Sequence, residues 1–214
     1  MKTASKINGL QMKIFCIGRN YTAHVKELGN EVREDPVVFI KPKSALQRPH
    51  IPFYYPEFTN ELHYEAELVI RVSKNGRYIN KRYAYQYYDA ITLGIDFTAR
   101  DIQRELTKNG LPWEKAKAWD NSAAIGKWLP IKNFESRRNI NFGLYKNGKL
   151  VQHSNSGKMI HSFETILADI SKYFTLNIGD IIFTGTPEGV GELVISDMLE
   201  GIIEDEIVLN LTVE

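Results

Sequence analysis

The chain has 214 residues with 27 basic and 26 acidic side chains, a formal net charge of +1, which argues against a nucleic-acid or membrane-surface partner held by a basic face. With 43% hydrophobic and 25% charged residues, the composition is that of a globular protein able to bury a sizeable core, neither disordered nor coiled-coil. A lone cysteine, Cys16, excludes an internal disulfide framework and suits a reducing compartment such as the cytoplasm, and no apolar run approaches the roughly 20 residues that span a bilayer.

Residues 1–12 lack an apolar core, so they carry no secretory signal and read as a short extension ahead of one domain over 13–214. Residues 13–17 read as a short strand closed by Gly18. Over 19–29, Tyr21, Val25 and Leu28 recur at helical spacing and Gly29 supplies a stop. His24 and Glu27 stand at i and i+3 on that helix, where side chains meet. Such a pair is either a base with its orienting carboxylate or a surface ion pair. Residues 36–40 form a buried strand ending at Lys41-Pro42, which puts Lys41 at a sheet rim. The proline-bearing stretch 43–60 reads as irregular and extended.

The stretch 63–72 (H-Y-E-A-E-L-V-I-R-V) is the most informative. Ala66, Leu68, Ile70 and Val72 make one apolar face of a strand, while Glu65, Glu67, Val69 and Arg71 point the other way. Carboxylates at i and i+2 lie roughly 6–7 Å apart and repel unless they face open water or share a cation. Asn75-Gly76 then signals a hairpin turn. Residues 90–97 are another buried strand with Asp96 near its end, where an ionised acid needs a partner. Thr98-Ala99-Arg100-Asp101 is a capping-box pattern that opens a helix with Ile102 and Leu106 on its stripe. If 111–120 is extended, Lys115 and Lys117 share a face, by default a surface one.

Asn147-Gly148 marks a second hairpin. Ser162 caps an amphipathic helix with Phe163, Ile166, Leu167, Ile170 and Phe174 on one stripe. Residues 179–183 form a strand leading into T-G-T-P-E-G-V-G (184–191). This loop lacks both the Gly-Lys-Ser/Thr of a P-loop and the G-x-G-x-x-G spacing. It leaves open a turn that offers the Thr186 hydroxyl and backbone N–H groups to an anionic ligand. The tail, 202–213, alternates like a final strand.

Three acids, Glu65, Glu67 and Asp96, thus lie on two predicted strands with no His or Cys motif among them. An all-oxygen set suits Mg2+ or Mn2+ and disfavours Zn2+. His63 points to the face of the acids and could support them from behind.

Six stretches together resemble the fumarylacetoacetate hydrolase family, and most closely its short acylpyruvase and oxaloacetate decarboxylase branch. They are G-R-N-Y-x-x-H-x-x-E (18–27), F-I-K-P (39–42), H-x-E-x-E (63–67), D-x-T-A-R-D-x-Q (96–103), G-L-P-W-x-x-A-K (110–117) and G-D-I-I-x-T-G-T-P-x-G-V-G (179–191). The resemblance implies an α+β, mainly β fold, a mixed β-sheet roll with short flanking helices, working as a homodimer. It implies Glu65, Glu67 and Asp96 as ligands of Mg2+ or Mn2+, and His24 and Glu27 as a water-activating dyad. Lys117 becomes the cation that supports a developing oxyanion, and Arg19, Lys41, Gln103 and Thr186 become substrate contacts. Glu192-Leu193 and Ser196-Asp197 depart from the family, which commonly has proline and then Gly-Asp there.

The activity implied first is hydrolysis of a C–C bond in acylpyruvate-type 2,4-dioxo acids to pyruvate and a carboxylic acid. The same metal-held enolate serves an oxaloacetate decarboxylase or tautomerase, or a 2-hydroxyhepta-2,4-diene-1,7-dioate isomerase. A non-catalytic dicarboxylate-binding module is the different-class alternative. It predicts loss of dyad or triad members, and all are present.

Overall fold

A computed structural model describes residues 12–22, 34–48 and 51–214. In chain order its strands and helices are β1 (Ile14–Gly18), β2 (Val37–Lys41), β3 (Leu62–Tyr64), β4 (Ala66–Val72), β5 (Tyr88–Asp96), β6 (Thr98–Ala99), α1 (Arg100–Lys108), α2 (Glu114–Lys117), β7 (Ala123–Ile125), β8 (Leu129–Pro130), β9 (Asn141–Lys146), β10 (Lys149–Asn155), α3 (Phe163–Tyr173), β11 (Ile181–Phe183), β12 (Gly191–Glu192), β13 (Met198–Ile203) and β14 (Glu206–Thr212). The fold is α+β and mainly β, a curled mixed sheet with few helices. The largest sheet runs β2-β1-β11-β4-β5-β7, with β8 also on β5. Only its β1–β11 pair is parallel. A second sheet runs β10-β9-β13-β14 and a third β12-β3-β6.

Both faces of the large sheet are covered, which explains why its strands read as nearly continuous apolar runs. Leu68, Ile70, Ile91 and Leu93 pack under α3 (Phe163, Ile166, Leu167, Ile170) and against Phe142 and Ile203 of the second sheet. On the opposite face Val69 meets Ile14, Cys16, Ile181 and Phe183. A third cluster, including Phe53, Leu62, Tyr64, Ala66, Ile95 and Phe97, fills the space between the small sheets. The face of 63–72 that carries the glutamates is therefore inside the molecule, and the solvated reading of it is excluded.

Several local readings hold. Asn147 and Gly148 take φ of 52° and 76°, the two left-handed centres a tight hairpin between β9 and β10 requires. Ser162 caps α3, its hydroxyl accepting from Thr165 N. Other readings are replaced. Asn75-Gly76 makes no tight hairpin. Gly76 exchanges backbone hydrogen bonds with Leu176 instead, and a 3-10 turn at Lys81–Gln86 intervenes before β5. Thr98 caps no helix, because Thr98 and Ala99 pair with β3 and the hydroxyl is taken by Lys117. The alternating tail is two strands, turned at Glu204 with φ 49°. Ser196, where the resemblance leads one to expect glycine, takes a left-handed φ of 77°. The Asp197 carboxylate anchors that turn by accepting from Val194 N and Asn147. Among the described residues no helix is long and apolar enough to cross a membrane.

Gly94, paired with Glu67 across β4–β5, shows how tightly the sheet is filled. A Cβ there would stand 2.6 Å from Phe183 Cε1 and 2.8 Å from Ala124 O. Gly94→Ala is expected to lower stability by about 1–3 kcal/mol, the usual cost of overpacking, read as a fall in the urea midpoint at unchanged m-value.

Candidate metal centre

The site sits where one antiparallel ribbon divides into two sheets. Residues 66–72 pair with 88–95, while 62–63 pair with 98–99, so both strands change sheet at the level of Glu65 and Phe97. Asp96 N donates to Glu65 O across the break (2.9 Å), and Phe97 N turns away to Ser122 O (3.0 Å). The break gathers Glu65, Glu67 and Asp96, one ligand oxygen of each lying within 4.8 Å of the others. All three are buried, at 6%, 2% and 1% exposure.

Three like charges in so dry a place repel unless positive charge comes to them. α2 brings Lys117, whose Nζ lies 2.8 Å from Glu65 Oε2 and 2.9 Å from Asp96 Oδ2 and donates to Thr98 Oγ1 at 2.6 Å. Burial works against the ammonium, but Asp96 and Glu65 outweigh it and raise the Lys117 amine above its ordinary value. The helical turn, rather than an extended run, turns Lys117 inward and leaves Lys115 exposed. From the start of α1, Arg100 reaches Glu65 Oε1 at 2.5 Å and Gln103 Oε1 at 2.5 Å. Its Nε donates to His63 Nδ1 at 3.3 Å. His63 Nε2 in turn faces Glu61 at 3.1 Å. Burial and the Arg100 charge hold the His63 imidazole below its ordinary pKa.

Glu67 is served differently. Gly185 N donates to Glu67 Oε2 at 2.6 Å. Residues 184–186 run beside β4 with hydroxyls supplementing the backbone: Thr184 N and Oγ1 donate to Leu68 O, and Thr186 Oγ1 donates to Ala66 O. Gly185 takes φ 100°, and a Cβ there would stand 2.6 Å from Asn20 Cβ, so the turn that aims this N–H requires glycine. Burial, reinforced by the Asp96 and Glu65 charges, pushes the Glu67 carboxyl well above the usual carboxylate range.

The donor set fits a hard divalent cation. Asp96 Oδ1 is buried and accepts no hydrogen bond among the described residues. Lys41 Nζ lies 2.8 Å from it, yet the three donors of Lys41 go to Lys117 O, Ser122 O and Ser122 Oγ. A buried carboxylate oxygen held by an ion pair but by no hydrogen bond, in an all-oxygen triad, is what such an ion takes up.

A cleft of about 540 Å3 opens onto the triad and is lined by Arg19, Gln103 and Thr186, as well as Lys117, Arg100 and Trp113. Lys41 is fully buried on the far side of Asp96, not at a rim and not in the cleft. The Thr186 hydroxyl is engaged with Ala66 O and Gln152. His24 and Glu27 lie outside the described residues. Sequence reasoning overlooked Arg100, although a cation one turn after the strand bearing Asp96 and inside the 96–103 motif was the available signal.

A buried acid triad with a lysine and an arginine turned onto it, at the mouth of a cleft in a curled mixed sheet, defines an enzyme acting on a small molecule with a divalent cation. The chain belongs to the fumarylacetoacetate hydrolase family: residues 13–210 match the model of the fumarylacetoacetate (FAA) hydrolase C-terminal domain. It is 38% identical over 188 residues to oxaloacetate tautomerase YcgM of Escherichia coli, covering 87% of this chain and 86% of that one. To the human mitochondrial oxaloacetate tautomerase it is 37% identical over 201 residues, covering 94% and 91%. The crystal structure of fumarylpyruvate hydrolase from Pseudomonas aeruginosa in complex with Mn2+ and pyruvate superposes with a TM-score of 0.89 at 35% identity, covering 95% of this chain and 89% of that one.

The raised Glu67 carboxyl gives a pH signature. Its contribution to the stability of the metal-free chain is full below the unfolded pKa and is lost as pH rises through the folded one. A divalent cation needs the ionised form, so its affinity rises with pH across the same window. Mn2+ is expected to raise the melting temperature more at mildly alkaline than at mildly acidic pH, read by thermal denaturation with and without the metal.

Proposed function

We propose that this chain passes small 2-oxo acids through their enolates, and that the enol–keto interconversion of oxaloacetate is its reaction. The observation that carries this reading is the buried oxygen triad with Lys117 and Arg100 both turned onto it, in a cleft that Arg19, Arg104 and Lys108 also line. Such a site suits an anionic substrate whose reaction builds further negative charge on oxygen. The match of nearly the whole chain to two oxaloacetate tautomerases supports the same substrate.

Bound at Glu65, Glu67 and Asp96, Mg2+ or Mn2+ supplies Lewis-acid polarisation of the 2-oxo acid. Lys117, kept charged by Asp96 and Glu65, offsets the charge that grows on the substrate oxygen as the C3 proton leaves. Arg100, Arg19 and Gln103 are assigned to the substrate's carboxylates, with Thr186 at the edge of the cleft. Lys41 fixes the orientation of Asp96 from behind. His24, oriented by Glu27, is assigned the proton transfer. One domain over 13–214 acting as a homodimer belongs to the same proposal, and analytical sedimentation checks the dimer.

Hydrolysis of acylpyruvates is the second reading. It is favoured by the likeness to fumarylpyruvate hydrolase and by the dyad in the 18–27 motif. Here His24 takes a proton from a water that attacks the distal carbonyl, Lys117 supports the oxyanion, and the C–C bond breaks to give the pyruvate enolate and a carboxylic acid. Tautomerisation needs no water attack, so the two readings separate on substrates rather than on site residues.

The test is a panel of enol-oxaloacetate, acetylpyruvate and fumarylpyruvate, each with Mg2+ and with Mn2+, followed by enol absorbance. Accelerated decay of enol-oxaloacetate is expected. Turnover of acylpyruvates with oxaloacetate untouched selects the second reading. Lys117→Met is expected to lower kcat/KM by about 100- to 1000-fold, the usual range for losing one such stabilising group. Glu65→Ala is expected to abolish both turnover and Mn2+ binding, and its survival in either respect overturns the site.

A further inference from the structure

Gln152 belongs to β10, in the second sheet, yet its carboxamide ends in the backbone of the metal-ligand segment. The β9–β10 ladder pairs Leu150 with Tyr145 and Gln152 with Leu144, which leaves Val151 as an extra residue. One extra residue turns the following side chains over. Leu150 is 45% exposed, whereas Gln152, two residues on, is 2% exposed. The glycine-rich loop lies against this bulge: Gly189 has φ 90°, and a Cβ there would stand 2.4 Å from Val151 O.

Turned inward, Gln152 accepts from Ala66 N through Oε1 at 2.9 Å. Its Nε2 donates to Thr186 Oγ1 at 2.9 Å and to Pro187 O at 3.0 Å. Thr186 Oγ1 then donates to Ala66 O at 2.9 Å. Ala66 is the residue between Glu65 and Glu67, at the point where the chain leaves one sheet for another. Both its N–H and its C=O are held by side chains at a place where the ladder gives β4 no strand on that edge, since β11 reaches only as far as Val69.

We propose that Gln152 is a positioning residue for the metal centre, fixing the Ala66 peptide so that the Glu65 and Glu67 carboxylates converge on one cation. The proposal rests on reading Glu65, Glu67 and Asp96 as a divalent-metal site. Gln152 touches neither substrate nor metal; it acts through the peptide that joins two ligands. Partners at this remove commonly govern metal affinity by about 10- to 100-fold.

The experiment titrates Mn2+ alone into the metal-free full chain, read by loss of the free-ion EPR signal, with urea unfolding of the same samples. Gln152→Met keeps most of the volume and loses every hydrogen bond of the carboxamide. Ser154→Ala, two residues along the same strand, removes a buried hydroxyl that has no partner among the described residues and serves as the control. Gln152→Met is expected to bind Mn2+ about 10- to 100-fold more weakly, with Ser154→Ala at wild-type affinity. Should the Met variant not fold, Gln152→Ala, which leaves room for a water at Ala66 N, carries the comparison with the same direction of change. Wild-type Mn2+ affinity in a folded Gln152 variant whose urea midpoint has dropped makes the residue merely structural and overturns the proposal. A wild-type chain that binds no Mn2+ removes the metal reading itself, a separately visible result.

Discussion

Three carboxylates held together away from water are the constraint on which this structure turns. Burial and mutual repulsion both oppose their ionisation, and Glu67 registers this as a carboxyl pushed well upward. Each surrounding element supplies something that lowers that cost. A short helix delivers Lys117 to Glu65 and Asp96, the first residue of the preceding helix delivers Arg100 to Glu65, and a glycine turn aims one N–H at Glu67. Lys41 adds a third buried cation at Asp96, so Glu67, whose direct partner is an N–H, is the acid whose carboxyl stays raised. The oxygen set held together in this way is of the kind that a divalent cation takes up.

The ribbon that carries the acids accounts for their closeness. The register sets Asp96 directly across from Glu65 on the neighbouring strand, with Glu67 two residues along the same face. Splitting the ribbon at Glu65 and Phe97 sends its two halves into different sheets, and the carboxylates meet at the bend. Ladder bonds lost there are replaced by Thr184, Thr186 and Gln152, so the backbone polar groups at the bend stay satisfied. The functional centre thus occupies the place where regular structure is interrupted and side chains take over its hydrogen bonding.

The region after the glycine-rich loop turns on a left-handed residue that is not glycine. Ser196 holds a left-handed conformation that glycine would adopt freely, and the Asp197 carboxylate anchors the turn through Val194 N and Asn147.

Much of the architecture was legible in the residues, since periodicity and turn chemistry are local. The strands at 14–18, 37–41 and 88–96, the Asn147-Gly148 hairpin and the Ser162-capped helix could all be read from the chain. The acids Glu65, Glu67 and Asp96 were also legible as a set, though spacing alone left them between a solvated face and a shared cation; family resemblance moved them to the second. What only the tertiary structure decided was which face is inside and who meets whom there. Lys41 and Lys117 read as surface lysines because their immediate neighbours give no sign of burial. They are buried because acids far away in sequence need their charge. Asn75-Gly76 and Thr98 lost their local roles to distant partners, Leu176 and Lys117. Gln152 was silent in the sequence, since a glutamine on a strand signals nothing until a bulge turns it toward the bend at Ala66. Local preference is set by nearest neighbours along the chain, whereas a charge-compensated metal centre is assembled from contacts across it.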